Sequence, residues 1–363
     1  MKAAIIGAMT GNGHVSVMNT LKKEFDNRHI SIDCYPDFYE SLQLSNKILS
    51  DFYNFLIANS IPLCNKYCEF TSITRYDVSE NFYEGVKEKI KDFLLKNKYD
   101  VLISVAHTIN PVIIRIINEL EFEEQIKFVI VVTDPFEPIA VGYAVPGAYR
   151  YYCSTEIVKN YLIKRRVDES KIRVYGYPIN LKFQANGKEK TKKKNILLNA
   201  GSQGITYYYD FLRKIANEIT DMNIVMICGK NQALYHQANK FVNKNELGNR
   251  ITIYSFVNNL EELLNGATIT ITKPGANTFF EAISCKIPII IDATEGFIYQ
   301  EKGVQKYMEK YKVGEILYDK DNLVKLIQEI MNDSKYNRYI DAINDIPNLN
   351  GTIDIVDDIL KLA

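Results

Sequence analysis

The chain has 363 residues, too many for one ordinary core, and its 47% apolar and 24% charged content is that of a globular protein, not a disordered one. Lysine plus arginine and aspartate plus glutamate balance at 44 each, which excludes a nucleic-acid binder built on bulk charge. The six cysteines (Cys34, Cys64, Cys68, Cys153, Cys228, Cys285) form no CxxC pair and no zinc set, so no metal and a reducing, cytoplasmic setting are expected.

Lys2–Ile6 reads as a first buried strand, in a run too short and too broken by glycine for a signal peptide. No later run reaches the ~20 apolar residues of a membrane span, so any membrane contact is expected to be peripheral. The turn Gly7 to His14 (GAMTGNGH) follows the strand and opens a helix over Val15–Phe25. Its glycines fall at 7, 11 and 13, out of register for the G-x-G-x-x-G dinucleotide fingerprint. The turn sets His14 at the start of the helix. There an imidazole of ordinary pKa ~6.5 can take the proton of an attacking hydroxyl, and the helix dipole favours its neutral form. A lone histidine at a turn also serves structure alone.

Residues 35–83 are dense in tyrosine, phenylalanine and leucine. They read either as core helices of the first domain or as an apolar surface for a lipid-like acceptor or a bilayer. Helical patterns over Asn81–Leu95 and Asn110–Leu120 then alternate with strands Val101–Val105, Lys127–Val132 and Tyr149–Cys153. Lys159, Lys164, Arg165 and Arg166 cluster on one helix, and Lys188–Lys194 is a basic run. Both read as solvated face and linker, or as attraction to an anionic membrane surface.

After that run the pattern restarts with strands Asn195–Asn199, Asn223–Cys228, Ile251–Tyr254, Thr268–Thr272 and Ile287–Ile291. Strands and helices alternating at this spacing imply parallel sheets covered on both faces. The expected fold is therefore α/β, with two doubly wound Rossmann-like domains facing a central cleft where ligand binds. The expected boundaries are 1–182, 183–345, and a C-terminal helix at 346–363 that packs back on the first domain.

The richest stretch is Thr268 to Gly303, in which a Pro-Gly turn leads into a helix opening near Thr278. A helix entered through glycine offers unpaired backbone N–H groups and the positive end of its dipole to phosphate. Thr278-Phe-Phe-Glu281 matches a capping box, and Glu281 can alternatively bind both ribose hydroxyls. Lys273, Gly275 and the Gln300–Glu301 pair complete a nucleotide-sugar pocket. Gly201 and Ser202, in Asn199 to Gly204, can approach a diphosphate or simply make a tight turn.

On these residues the chain resembles the monogalactosyldiacylglycerol synthase and processive diacylglycerol glucosyltransferase family. It is more distantly similar to the N-acetylglucosaminyltransferase of lipid II synthesis. The matching segments are GNGH (11–14), VVTDPF (131–136), VYGYPI (174–179), LLNAGSQG (197–204), ICGKN (227–231), SFVNNLEELL (255–264), TKPGANTFFEA (272–282) and YQEKG (299–303). The resemblance implies the GT-B architecture and a metal-independent, inverting transfer of a hexose from a UDP-sugar, with no cofactor. His14 would be the base or part of the acceptor site and Asp134 a helper, with Gly13 and His107 on the acceptor side. Phe256 and Val257 would hold uracil, Gly275, Ala276, Asn277 and Thr278 the diphosphate, Glu281 the ribose, and Gln300 and Glu301 the hexose. Gly201, Ser202, Gln203, Lys230 and Lys273 would complete the donor side.

Diacylglycerol or a glycolipid is the implied acceptor, at the inner face of the membrane. A soluble sugar or secondary metabolite, a non-catalytic nucleotide-sugar-binding subunit, and a sugar-nucleotide epimerase are the alternatives. Tyr299 stands where the family has glycine, Val304 where it has asparagine, and GNGH and TKPGA where it has GGGH and TKPGG. These departures leave the identity of the sugar open.

Overall fold

Strands that are apolar on both faces, joined by helices, can only be satisfied in parallel sheets covered on each side. The computed structural model describes residues 1–11, 13–184 and 194–362, and has two such sheets. The chain divides into two units. The first comprises Met1–Asn180, Phe297–Gly303 and Asn348–Ala363; the second comprises Leu181–Gly296 and Val304–Pro347.

In chain order the first unit has β1 (Ala3–Ile6), α1 (Gly13–Asn27), β2 (Asp33–Tyr35), α2 (Phe38–Leu42), α3 (Leu44–Asn59) and α4 (Ile61–Thr74). It continues with α5 (Glu80–Asn97), β3 (Val101–Ser104), α6 (Asn110–Glu119), β4 (Lys127–Val131), β5 (Arg150–Cys153), α7 (Glu156–Lys164) and β6 (Ile172–Val174). The second unit has β7 (Asn195–Asn199), α8 (Tyr208–Glu218), β8 (Asn223–Ile227), α9 (Gln232–Lys244), β9 (Ile251–Tyr254), α10 (Leu260–Gly266), β10 (Ile269–Thr272) and α11 (Ala276–Ser284). It ends with β11 (Ile289–Asp292), α12 (Val304–Tyr311), β12 (Gly314–Leu317), α13 (Leu323–Ile330) and α14 (Asp333–Asn344), and α15 (Thr352–Leu360) returns to the first unit.

The first sheet has the order β2-β1-β3-β4-β5-β6 and the second β12-β11-β10-β7-β8-β9, with every pairing parallel. Strand order therefore reverses between β1 and β3 in one sheet, and between β7 and β10 in the other. Ligands bind such sheets at the carboxyl ends of the strands flanking the reversal. The loops after β1, β3, β7 and β10 are thus the places to look for chemistry.

Strands β2, β6 and β12 are absent from the elements expected above. All three are sheet edges, where one neighbour is missing and an all-apolar run is not required; Asp33, Arg173 and Glu315 sit in them. Part of the segment 35–83 is core, as one of its two readings expects, and part is exposed. Phe38, Tyr39 and Leu42 are core, whereas Leu44, Ile48, Phe52, Phe55, Leu63, Phe70 and Ile73 are exposed on α3 and α4. The basic run falls outside the described residues except for Lys194, whose ammonium pairs with Asp221 at 2.8 Å.

The second unit runs from Leu181 to Pro347 where 183–345 was expected, and it is interrupted. Residues 297–303 lie in its sequence but belong to the first unit. Asn65 on α4 donates to the Phe297 carbonyl at 2.9 Å, and Tyr299 packs against Leu56, Cys64 and Cys68. Gly303 meets the Glu137 backbone so closely that any side chain would collide with it. The helix α15 is tied to the first unit by Asp357 to Arg28, and by Asp358 to Arg150 (2.6 Å) and Tyr152 (2.9 Å).

Candidate active site

In the first unit the loop after β1 delivers His14 as the second residue of α1, buried to 8% exposure. Its Nδ1 lies 2.8 Å from the carbonyl of Val105, which follows β3 and accepts the ring N–H. Tyr143 Oη donates to the same carbonyl at 2.8 Å, and Thr133 Oγ1 lies 2.6 Å from Tyr143 Oη and 3.1 Å from His14 Nδ1. A carbonyl can only accept, so the proton sits on Nδ1 and Nε2 keeps its lone pair. Among the described residues Nε2 has no hydrogen-bond partner.

Burial, then the neighbouring His107, pushes the His14 pKa down to about 4, against the opposing pull of the Val105 hydrogen bond. Desolvation, the largest of these causes, favours the neutral ring. His107 is likewise lowered to about 4 by burial; its ring centroid is 6.2 Å from that of His14, and its Nδ1 is 3.2 Å from Thr108 Oγ1. Gly13 is the first residue of α1, next to His14 in sequence.

Asp134 follows β4, and its Oδ2 accepts the Ala140 N–H at 2.9 Å. Burial raises its pKa to about 6, with the Ala140 bond pulling the other way. Among the described residues it makes no hydrogen bond to His14. The groups that hold the imidazole are Val105, Thr133 and Tyr143, which sequence reasoning missed. Thr133 was the available signal, a hydroxyl just past an apolar strand and immediately before Asp134.

In the second unit the loops after β7 and β8 are stitched together. Asn199 Oδ1 accepts the Gly201 N–H at 3.0 Å, the Lys230 N–H donates to Ser202 O at 2.9 Å, and Asn231 Nδ2 donates to Gly204 O at 2.9 Å. Gly204 has φ of +75° and turns its bare face to the Cys228 carbonyl, so no other residue fits there. Ser202, Gln203 and Lys230 are exposed at this platform.

Across the strand reversal, Lys273 follows β10, and Gly275 is the N-cap of α11. The Phe279 N–H donates to Gly275 O at 3.0 Å and closes the first turn of the helix. This corrects the capping-box reading. The helix starts two residues before the position expected, so Thr278 lies inside it and cannot cap it.

Glu281, one turn further on, is part-buried, and burial with Glu261 nearby raises its pKa to about 7. Phe256, just past β9, is 51% exposed, and Val257 is part-buried. Asp292 at the end of β11 is buried; it accepts from Tyr207 Oη at 2.7 Å and from Thr294 N–H and Oγ1 at 3.1 and 2.8 Å. It thereby fixes the exit of the strand leading toward residue 297.

Gln300 and Glu301 are not gathered with these residues in the second unit. Gln300 Nε2 donates to Cys68 Sγ of α4 at 3.6 Å, and Lys302 reaches Glu69 at 3.5 Å. Among the described residues no group of three or more His, Cys, Asp or Glu side chains is arranged to hold a metal ion, and no helix is long and apolar enough to cross a membrane.

Residues 14–179 match the family described as monogalactosyldiacylglycerol (MGDG) synthase, and residues 195–353 match the glycosyltransferase family 28 C-terminal domain. The processive diacylglycerol beta-glucosyltransferase of Staphylococcus carnosus (strain TM300) is 27% identical over 353 residues, covering 92% of this chain and 85% of that protein. Among solved structures, MurG of Acinetobacter baumannii aligns over 99% of this chain and 100% of its own, with a TM-score of 0.66 at 15% identity. The UDP-GlcNAc 2-epimerase of Neisseria meningitidis, bound to UDP-GlcNAc, aligns over 99% and 100% with a TM-score of 0.60 at 13% identity. At such identities these two likenesses speak to the fold alone.

Proposed function

Because the chain belongs to the family of inverting, UDP-sugar-dependent GT-B glycosyltransferases that join an MGDG synthase domain to a family 28 C-terminal domain, we propose that it moves a hexose from a UDP-sugar to the hydroxyl of diacylglycerol or a glycolipid. The observation that carries the catalytic half is the hydrogen bond from His14 Nδ1–H to Val105 O at 2.8 Å, which leaves Nε2 as a base. The acceptor oxygen attacks the anomeric carbon from the face opposite the leaving group, and Nε2 takes its proton. The bond to the β-phosphate oxygen breaks, UDP leaves, and the configuration inverts. The Val105 carbonyl stabilises the imidazolium that forms, and the Asp134 carboxylate adds negative charge nearby. Gly13 and His107 line the acceptor side.

On the donor side, the amides of Gly275 to Thr278 and the α11 dipole receive the diphosphate, so the departing charge needs no metal. Lys230, Lys273 and the Gly201–Gln203 platform surround it. Exposed Phe256 and the backbone of Val257 take the uracil, Glu281 takes the ribose, and Gln300 and Glu301 take the hexose. We assign the work to the cytoplasmic face of a membrane, held peripherally, since the acceptor is a lipid.

The test is a panel of UDP-sugars offered with diacylglycerol vesicles, with and without a chelator. We expect one donor to be consumed, only with acceptor present, and glycolipid to appear whether or not the chelator is added. Release of a free epimer, or binding without turnover, sinks the assignment.

The two pKa values of the first unit separate in this assay. At saturating donor, kcat should fall as pH drops through about 4, where the base His14 protonates, after a first limb at about 6, where Asp134 does. Asp134→Asn should remove that first limb; a first limb that persists in the variant belongs to another group.

A further inference from the structure

Helices α3 and α4 form a hairpin with two unlike faces. On α3, Leu44, Ile48, Phe52 and Phe55 recur at helical spacing along one stripe, and on α4 Leu63, Phe70 and Ile73 do the same. Leu44 is 73% exposed, Phe55 60%, Phe70 64% and Ile73 81%. Isolated exposed apolar residues are ordinary, but two adjoining stripes of large ones mark an interaction surface. The face is also neutral. From residue 44 to 74 there are two lysines, Lys47 and Lys66, against Asp51 and Glu69. Lys47 is paired with Asp51 at 3.0 Å, and Glu69 with Lys302 at 3.5 Å. A neutral apolar face about 24 Å long suits shallow insertion among lipid chains, and gives no hold for salt-dependent attraction to anionic headgroups.

The opposite side of α4 holds residues 297–303, through Asn65 to Phe297 O, Gln300 to Cys68, and Tyr299 on Cys64 and Cys68. That seven-residue stretch leaves the second unit after Gly296 and rejoins it at Val304. Two side-chain acceptors at the junction, Asn65 Oδ1 and Gln300 Oε1, are buried without a donor among the described residues. Such a junction is incompletely satisfied as it stands, and a small shift of α4 can remake it.

We propose that the α3–α4 hairpin docks on the apolar surface of a lipid bilayer, and that this docking sets the loop bearing Gln300 and Glu301 and so tightens the hold on the donor sugar. The proposal rests on the UDP-sugar reading above. It adds that the lipid surface is an activator of the donor site as well as the source of acceptor.

The test needs no turnover. The full chain is floated with phosphatidylcholine vesicles that contain no diacylglycerol, at low and high salt, and the affinities for UDP and UDP-glucose are measured with and without the vesicles. We expect flotation at both salt concentrations. UDP-glucose should bind about fivefold tighter or more on vesicles, with UDP unchanged. Phe55→Ser with Ile73→Ser should abolish flotation and tightening together. Asn65→Ala should float like the parent and lose the tightening alone, a split that a general loss of structure does not produce. The proposal is overturned if the chain floats only with anionic vesicles and comes off in salt. It is equally overturned if the face instead mediates self-association that the double variant abolishes, or if donor affinity ignores the vesicles. Should no UDP-sugar bind at all, the donor reading itself falls, and this proposal with it.

Discussion

Replacing His14 with alanine is expected to lower kcat by about 10²–10⁴-fold, the usual worth of a positioned general base. Donor affinity should stay within a factor of a few, because the groups read as holding UDP lie in the second unit. The variant also has a thermodynamic signature. The folded pKa of about 4 lies below the ordinary 6.5. Between those values the unfolded chain binds the extra proton, so the histidine favours unfolding as pH falls through that window. A shift of that size amounts to up to about 3 kcal/mol. Chemical denaturation at pH 7 and pH 5 should therefore show the parent losing more stability on acidification than the variant. Turnover of His14→Ala within tenfold of the parent would exclude this base.

The second large effect concerns Glu281, and its sign is opposite. Its pKa stands at about 7 against 4.5 for an ordinary glutamate, so the folded state holds the extra proton between those values. Stability is then highest below pH 4.5 as far as this group is concerned, and falls as pH rises through about 7. Glu281→Gln keeps the shape and removes the charge. At pH 8 the variant should be more stable than the parent by about 1–2 kcal/mol, after allowing for the group's partial exposure. The same change should weaken UDP binding roughly tenfold or more, since a charged acceptor holding two hydroxyls is lost. Thermal unfolding and UDP titration on one sample read both effects. A variant that gains stability and keeps its affinity would show that the carboxylate does not serve the ribose.

Much of this geometry could be read from the residues. The Pro-Gly turn before α11 and the glycine turns after β1 and β7 are local signals, and each falls beside a strand-order reversal, where ligand sites form. Signals that depend on distant partners could not be read. The support beneath His14 comes from Val105, Thr133 and Tyr143, which share no short motif with it. Residues 297–303 carry no mark of belonging with the first unit; Asn65 and Cys68, more than two hundred positions earlier, decide that. The capping box failed for a local reason. Gly275 already supplies the cap, and a helix that begins there leaves no role of that kind for Thr278.

The return of α15 to the first unit bears on how the protein is made. A ribosome delivers the chain from its amino end, and the second unit has all its residues once Pro347 has emerged. The first unit, begun at Met1, then still lacks Asp357 and Asp358, the partners of Arg28 and Arg150. The half of the protein synthesised first is thus the last to be complete, and a nascent chain halted before residue 348 should carry a finished second unit behind an open α1 surface.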